Sequence, residues 1–215
     1  VTTSTAVAAG NGIIVAFSTY GDPDYEINVT DSAGNTYEEA AQAQCYEHGR
    51  TYIFAAYNVT ALPSGGTITI THTSVQTCAA VALSFSGLLD DGLDQSLGNP
   101  VPGENEAISG TAPTVGPTGT TTQANELVFA AVGTEGPLED EAGTWGNSLT
   151  AGPRLGTTGS TYDTNRTLSV AWRIVSSTGA FTASKSGITD RYWGAAIATF
   201  KGGAPVVTHT LTTAV

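Results

Sequence analysis

Acidic side chains form three short clusters along the chain, and clusters of this kind can hold a metal ion. They are Asp22, Asp24 and Glu26; Asp90, Asp91 and Asp94; and Glu139, Asp140 and Glu141. Ca²⁺ takes six to eight oxygen ligands from carboxylates and carbonyls. We interpret the clusters as solvated loop charge and expect no cofactor. The alternative is a structural calcium site, with Asp22 and Asp24 or with Asp90, Asp91 and Asp94 as ligands.

The residues that usually carry catalysis are sparse. The histidines are His48, His72 and His209, and no His-Glu-x-x-His, Cys-x-x-Cys, P-loop or Gly-x-Ser-x-Gly motif occurs. Two carboxylates at a suitable separation would be enough for a glycosidase. Because the acids cluster in predicted loops, we interpret them as solvated charge and predict that the protein is not an enzyme.

The two cysteines, Cys45 and Cys78, each lie at the edge of a strand-like run. In an oxidising compartment they would form one disulfide around a loop of roughly 33 residues, which stabilises a fold by about 3–4 kcal/mol. We predict this disulfide. The alternative is a pair of buried free thiols.

The charge balance excludes nucleic acid as a partner. Seven Lys and Arg residues against 19 Asp and Glu residues give a net charge of −12, and phosphate backbones repel such a chain. Apolar runs are too short for membrane insertion. Only 12% of the residues are charged, and this blend, rich in Thr and Gly, favours an extracellular or cell-surface location. Asn28, Asn58 and Asn165 begin N-x-[ST] sequons and are candidate glycosylation sites.

An internal repeat indicates how the strands are organised. Residues 11–16 match 125–130, residues 50–57 match 166–173, and residues 82–87 match 197–202. Two halves, about 10–87 and 124–202, therefore share one strand plan, and residues 88–123 connect them. We expect one pseudo-symmetric unit over 1–203; the alternative is two tandem small sandwiches.

The periodicity throughout is that of strands. Short apolar or alternating runs are separated by Gly- and Pro-rich turns, and no segment has a helical period with caps. The sequence therefore predicts an all-β fold, an antiparallel jelly-roll-like β-sandwich with an internal two-fold duplication and an extra C-terminal strand.

The extra strand lies in residues 204–215, which follow the close of the second half. The segment alternates, and its candidate pairing residues are Val206, Val207, His209, Leu211, Thr213 and Val215. Such a strand can pair with its own sheet, or it can be donated to a neighbouring subunit by β-strand addition. Repeated head to tail, the second arrangement builds an open filament of identical copies.

Several turns resemble those of all-β modules in prokaryotic cell-surface proteins. They are residues 29–37 (VTDSAGNTY), 58–66 (NVTALPSGG) and 85–87 (FSG). The resemblance covers about residues 10–202 and implies adhesive, spacer or assembly roles. The terminal strand is similar in architecture to that of donor-strand pilus subunits.

We therefore predict an extracellular structural protein, a filament subunit that self-assembles by strand complementation. The alternative is a secreted carbohydrate-binding or adhesive module. Its surface glycan would stack on an exposed aromatic ring, for which Trp145, in the run Gly-Thr-Trp-Gly-Asn of residues 143–147, is the candidate.

Overall fold

The computed structural model describes residues 1–21, 26–45, 49–72, 75–99, 108–159 and 164–214. Within these ranges, only the backbone is described for residues 21, 75, 76, 204, 205 and 208–214. Asp22, Asp24, His48 and Val215 lie outside the described residues. All regular structure in the described part of the chain is β-strand, so the predicted all-β class is confirmed.

Fourteen strands make up the described fold. They are β1 (Gly12–Gly21), β2 (Asn28–Asp31), β3 (Glu38–Cys45), β4 (Gly49–Ala56), β5 (Ile68–Thr71), β6 (Val75–Asn99), β7 (Ser109–Gly110), β8 (Thr114–Val115), β9 (Asn125–Glu135), β10 (Ala142–Trp145), β11 (Thr150–Gly156), β12 (Arg166–Ser176), β13 (Ala183–Ile188) and β14 (Arg191–Ala214).

One large antiparallel sheet contains most of these strands. Its order is β11-β12-β9-β14-β6-β1-β4-β3, and β7 pairs with β14 at one side. A three-stranded sheet, β10-β13-β8, and a two-stranded sheet, β2-β5, complete the structure. The predicted antiparallel arrangement is therefore confirmed, and the layers are those of a sandwich.

The large sheet folds over, so that β1 and β4 pack against β9 and β12 across a shared inner core. Phe85 of β6 lies at the centre of this core. Its ring meets Phe129 edge-on at 6.2 Å and Trp172 at 6.1 Å, measured between ring centroids. Ile14 and Ile53 approach the same core from the first half of the chain. Because strand side chains alternate between faces, the neighbouring residues point outward.

Each outer face is covered by its own layer. Over the first half, the β2-β5 sheet and residues 1–10 enclose an apolar cluster around Phe17, Leu62 and Ile68. Over the second half, the β10-β13-β8 sheet encloses another cluster around Leu149 and Ile188. The central strands are thus buried on both faces, which explains why they read as continuous apolar runs rather than as alternating ones.

The pairing register relates the two halves more exactly than the sequence match does. Ile14 pairs with Leu83 in the first half, and Phe129 pairs with Ala198 in the second. Phe129 lies 115 residues after Ile14, and Ala198 lies 115 residues after Leu83. The sequence match placed Ile14 on Val128, and this alignment was wrong by one residue. A slip of one residue exchanges the two faces of a strand: Ile14 and Phe129 face the inner core, whereas Val128 faces outward. The duplication itself stays a prediction.

The long strands β6 and β14 join the two halves reciprocally. The beginning of β6 pairs with β1, while its residues 95–99 pair with β14. The beginning of β14 pairs with β9, while its residues 207–214 pair back onto residues 80–86 of β6. Each half therefore contributes a strand segment to the sheet of the other half.

Candidate functional site

The first candidate site is the place where the end of β14 lies on β6. Val207 lies opposite Ser86, His209 opposite Ser84 and Thr213 opposite Val81. The backbone of Leu211 falls within a register shift. We call β6 residues 80–86 the acceptor edge and residues 206–214 the C-terminal segment.

The acceptor edge is central in the sheet only because the C-terminal segment covers it. On its other side, the same residues pair with β1. Leu83 and Phe85 of this edge are fully buried in the inner core, and Val206 of the segment is buried with them. Without the segment, the edge would present unpaired backbone groups above an apolar core, a template for another strand.

The outward edge of the C-terminal segment has no partner within the described residues. Val207, at its beginning, is 50% exposed and is one of the few large apolar side chains on the described surface. The predicted donor residues therefore include one buried residue, Val206, and one exposed residue, Val207. For His209, Leu211 and Thr213 the structure places the backbone alone.

A buried carboxyl group lies beside the point where β14 leaves the second half. Glu126 of β9 is fully buried, and Asp94 and Thr199 lie beside its carboxyl group. Burial, reinforced by a hydrogen bond to Asp94, raises the pKa of Glu126 to about 7. Hydrogen bonds from Glu126, Thr122 and Gln95 outweigh partial burial and lower the pKa of Asp94. A protonated Glu126 that donates to the Asp94 carboxylate satisfies both groups.

The second candidate site is a small polar cavity between the large sheet and the β10-β13-β8 layer. Lys185 of β13 and Ser169 of β12 form its floor, at 4% and 5% exposure. The Lys185 Nζ donates a 2.9 Å hydrogen bond to the Ser169 Oγ. The same Nζ lies 5.5 Å from the centre of the Trp145 ring.

Two arginines complete the wall of this cavity. Arg154 donates to the backbone oxygens of Leu138 (2.6 Å) and Asp140 (2.9 Å). Arg191 donates hydrogen bonds to both carboxylate oxygens of Asp140, at 2.8 and 3.2 Å. Burial, and then repulsion from Arg154, lowers the pKa of Lys185 to about 8.

A serine hydrogen-bonded to a lysine of lowered pKa has the chemistry of a nucleophile with its base. The cavity volume of about 10 Å³ is room for one water-sized occupant. An acyl substrate needs more space than this beside the Ser169 hydroxyl. The prediction that the protein is not an enzyme stays a prediction.

Sequence reasoning identified Trp145 and missed Lys185 and Ser169. Trp145 is half-buried rather than an open platform, and it lies directly across from Lys185 in the register of β10 and β13. A signal for Lys185 did exist, because it is a lysine inside a strand of a chain with only seven cationic residues. Alternation alone did not show whether that strand position was buried.

The predicted disulfide was wrong, because both cysteines are free thiols. Cys45 faces the inner core, where its sulfur accepts a 3.0 Å hydrogen bond from the buried Arg166 guanidinium. Cys78 packs into the outer cluster of the first half, on the opposite face of the sheet. Since β4 and β1 separate β3 from β6 in the sheet, the two sulfurs cannot meet.

The predicted calcium ligands do not converge where the structure describes them. Asp90 approaches Asn58, Asp91 approaches Lys201, and Asp94 binds Thr122. No group of three or more His, Cys, Asp or Glu side chains could hold a metal ion among the described residues. Asp22 and Asp24 lie outside them, so a calcium site there stays a prediction.

The sequons differ in accessibility. Asn28 and Asn58 are exposed, whereas Asn165 is only 5% exposed. A glycan on Asn165 would require local unfolding, so Asn28 and Asn58 are the accessible candidates. Among the described residues there is no helix with the length and apolar character needed to cross a membrane.

Comparison with known proteins does not assign the chain to a family. No protein-family model matches it, and no curated protein or solved structure is significantly similar.

Proposed function

We propose that this protein is an extracellular structural subunit that self-assembles into filaments when its C-terminal segment fills the acceptor edge of a neighbouring copy. The observation that carries the proposal is the pairing of residues 207–214 with residues 80–86. This pairing supports the proposal because the segment and the edge match in register within one chain, so the same match is open to a neighbouring copy. Their chemistry is that of β-strand addition, in which backbone hydrogen bonds give strength and alternate side chains give register.

The connection to the segment suits such an exchange. Gly202 and Gly203 precede it, and Gly202 is the last residue before the register breaks and resumes at Val207. In exchange, the same contacts form between copies instead of within one copy, so the two states differ mainly in their linkage. High local concentration, as at a cell surface, favours the exchanged form.

The composition supports an extracellular setting for this assembly. The chain is acidic and has few charged residues. Its turns resemble those of prokaryotic cell-surface modules, which implies an adhesive, spacer or assembly role. The partner in this proposal is a second copy of the same chain, and the accessible sequons provide sites for glycans at the surface.

An engineered cross-link tests the proposal directly. Ser84 and His209 are opposite one another, at a separation that suits a disulfide. In a background of Cys45→Ala and Cys78→Ala, we expect S84C/H209C under oxidising conditions to give a ladder of covalent oligomers on non-reducing gels. Negative-stain microscopy of the same sample should show filaments.

The control shifts one cysteine by one residue. S84C/T208C places the second thiol on the other face of the strand and should cross-link poorly. A second control ends the chain at Gly203, which should leave particles that do not elongate. Only a cross-linked monomer from S84C/H209C, with no filaments at high protein concentration, would overturn the proposal.

A carbohydrate-binding role is the second candidate, and the observation that favours it is Trp145. Its half-buried ring lies 5.5 Å from the Nζ of Lys185, and Lys185 lines the cavity. An aromatic ring flanked by polar groups is a common sugar-binding arrangement. Binding on a glycan array that Trp145→Ala abolishes, from a protein that stays monomeric, would support this function instead.

A further inference from the structure

The buried amine of Lys185 lacks a counter-ion. Of its three N–H donors, one is used by the Ser169 hydroxyl, and another direction is occupied by the Trp145 ring. No described carboxylate lies within salt-bridge distance of its Nζ. A buried charge of this kind is costly unless it is paired.

The acidic side chains near the cavity form no ion pair with Lys185. Asp140 has both oxygens occupied by Arg191. Glu141 is exposed, and its backbone N–H is bonded to Thr189. Arg154 repels Lys185, and the carboxylates of Asp140 and Glu139 favour the charge of Arg154 itself. Lys185 is therefore the cationic group of the cavity without a described carboxylate partner, in a chain whose net charge is −12.

We propose that this cavity binds a single small anion, a halide such as chloride, between Lys185 and Ser169. The ion accepts a hydrogen bond from the Lys185 ammonium and one from the Ser169 hydroxyl. The volume of about 10 Å³ limits the occupant to something close to one water molecule in size. Phosphate, sulfate and the carboxylate of a sugar acid are too large to enter.

Halide binding has a structural consequence. The cavity lies where β13, of the outer layer, meets β12, of the large sheet, and Asp140 and Glu141 lie at its rim. An anion there offsets the repulsion between Lys185 and Arg154, and it holds the outer layer against the sheet. Anion binding at this cavity does not require strand exchange, so the two proposals are tested separately.

The pH dependence of the effect follows from the sign of the Lys185 shift. With a pKa of about 8, Lys185 is protonated at pH 6.5 and binds the anion. As pH rises through that value, the amine becomes neutral and the anion leaves. The charged groups that face the cavity are Arg154 from β11, Asp140 and Glu141 from the rim, and Arg191 from β14.

Thermal unfolding in sodium chloride against sodium gluconate, at equal ionic strength and pH 6.5, tests the site. At a chloride concentration ten times Kd, we expect a Tm higher by about 3–6 °C. The difference should vanish at pH 9.5. Bromide substituted for chloride in crystals should give an anomalous peak within hydrogen-bond distance of the Lys185 Nζ.

Lysine variants provide the matched control. K185M should lose the chloride-specific rise in Tm, whereas K201M should keep it, since Lys201 lies at the surface near Asp91. If K185M does not fold, S169A and the bromide crystals of the wild-type protein test whether the anion binds at this cavity. Equal Tm values in the two salts, or no bromide peak at Lys185, would overturn the proposal.

Discussion

The outer layers of the two halves use the same strand pairing to enclose different interiors. In the first half, Asp31 of β2 lies opposite Ile68 of β5; in the second, Trp145 of β10 lies opposite Lys185 of β13. Ile68 is buried in an apolar cluster with Phe17 and Leu62, and the His72 ring stacks on Phe17 at 6.1 Å between ring centroids. Lys185 is equally buried and lines a polar cavity.

The difference shows that the backbone plan does not depend on the chemistry of the outer layer. The inner core and the long strands β6 and β14 are shared by both halves, so they set the topology. The first outer layer adds apolar burial. The second outer layer contains a polar cavity with buried charged groups, and these groups can bind a ligand.

The largest effect is expected in the shared core. Phe85→Ala removes a fully buried ring that contacts Phe129 and Trp172, and such truncations cost about 3–5 kcal/mol. Because this core joins the halves, we expect one cooperative transition in denaturant, with a lower midpoint and the same slope. Leu97→Ala, at a 37% exposed position, should change little. Two separate transitions in the wild type would show that the halves fold independently.

The two outer layers can be compared by matched truncations. Leu62→Ala in the first outer layer should lower the free energy of unfolding by about 2–4 kcal/mol, because Leu62 is fully buried. Leu149→Ala in the second layer, at a position already 8% exposed, should cost about 1–2 kcal/mol. Urea unfolding of both variants measures the difference. Equal losses would mean that the two layers contribute alike.

Glu126 makes the second half sensitive to pH, while its first-half counterpart by register, Asn11, is neutral. The folded state holds the Glu126 proton up to about pH 7, whereas the unfolded chain releases it near its ordinary pKa of about 4.5. Its contribution is therefore present below pH 4.5 and is lost as pH rises to 7. Between pH 5 and 7 the free energy of unfolding should therefore fall by roughly 2 kcal/mol because of Glu126, and Glu126→Gln should remove this fall. An unchanged slope between pH 5 and 7 in urea titrations would contradict the assignment.

The smallest effect concerns the thiols, which should differ in reactivity rather than in stability. Cys78 is half-buried in the first outer layer, whereas Cys45 is fully buried beside Arg166. Burial raises the pKa of both thiols, with Arg166 partly opposing it at Cys45. In Cys78→Ala, labelling of Cys45 should be about tenfold or more slower than labelling of Cys78 in Cys45→Ala. Equal rates would show that the inner core opens readily.

Local patterns were enough to predict much of the fold. Apolar runs such as 13–17 and 127–132 became β1 and β9, and the Gly-rich turns between runs separate strands as expected. The predicted match of the two halves differs by one residue from the pairing register of β1 and β9. Matching residue types does not reveal which face of a strand is inner.

The sites depended on contacts that no local pattern contains. Cys45 and Cys78 looked like a pair by type and spacing, yet they face opposite sides of the sheet. Lys185 and Ser169 come from strands of different sheets, and only the packing of one sheet on the other brings them to 2.9 Å.

The sequence by itself determined the strand content, the turns and the net charge, because each of these follows from composition or from residues close together in the chain. Tertiary structure alone decided where residues 207–214 pair, which faces are inner and where the buried charges lie. Register and sheet packing join residues far apart in sequence, and a shift of one residue in either reverses the environment of every side chain involved.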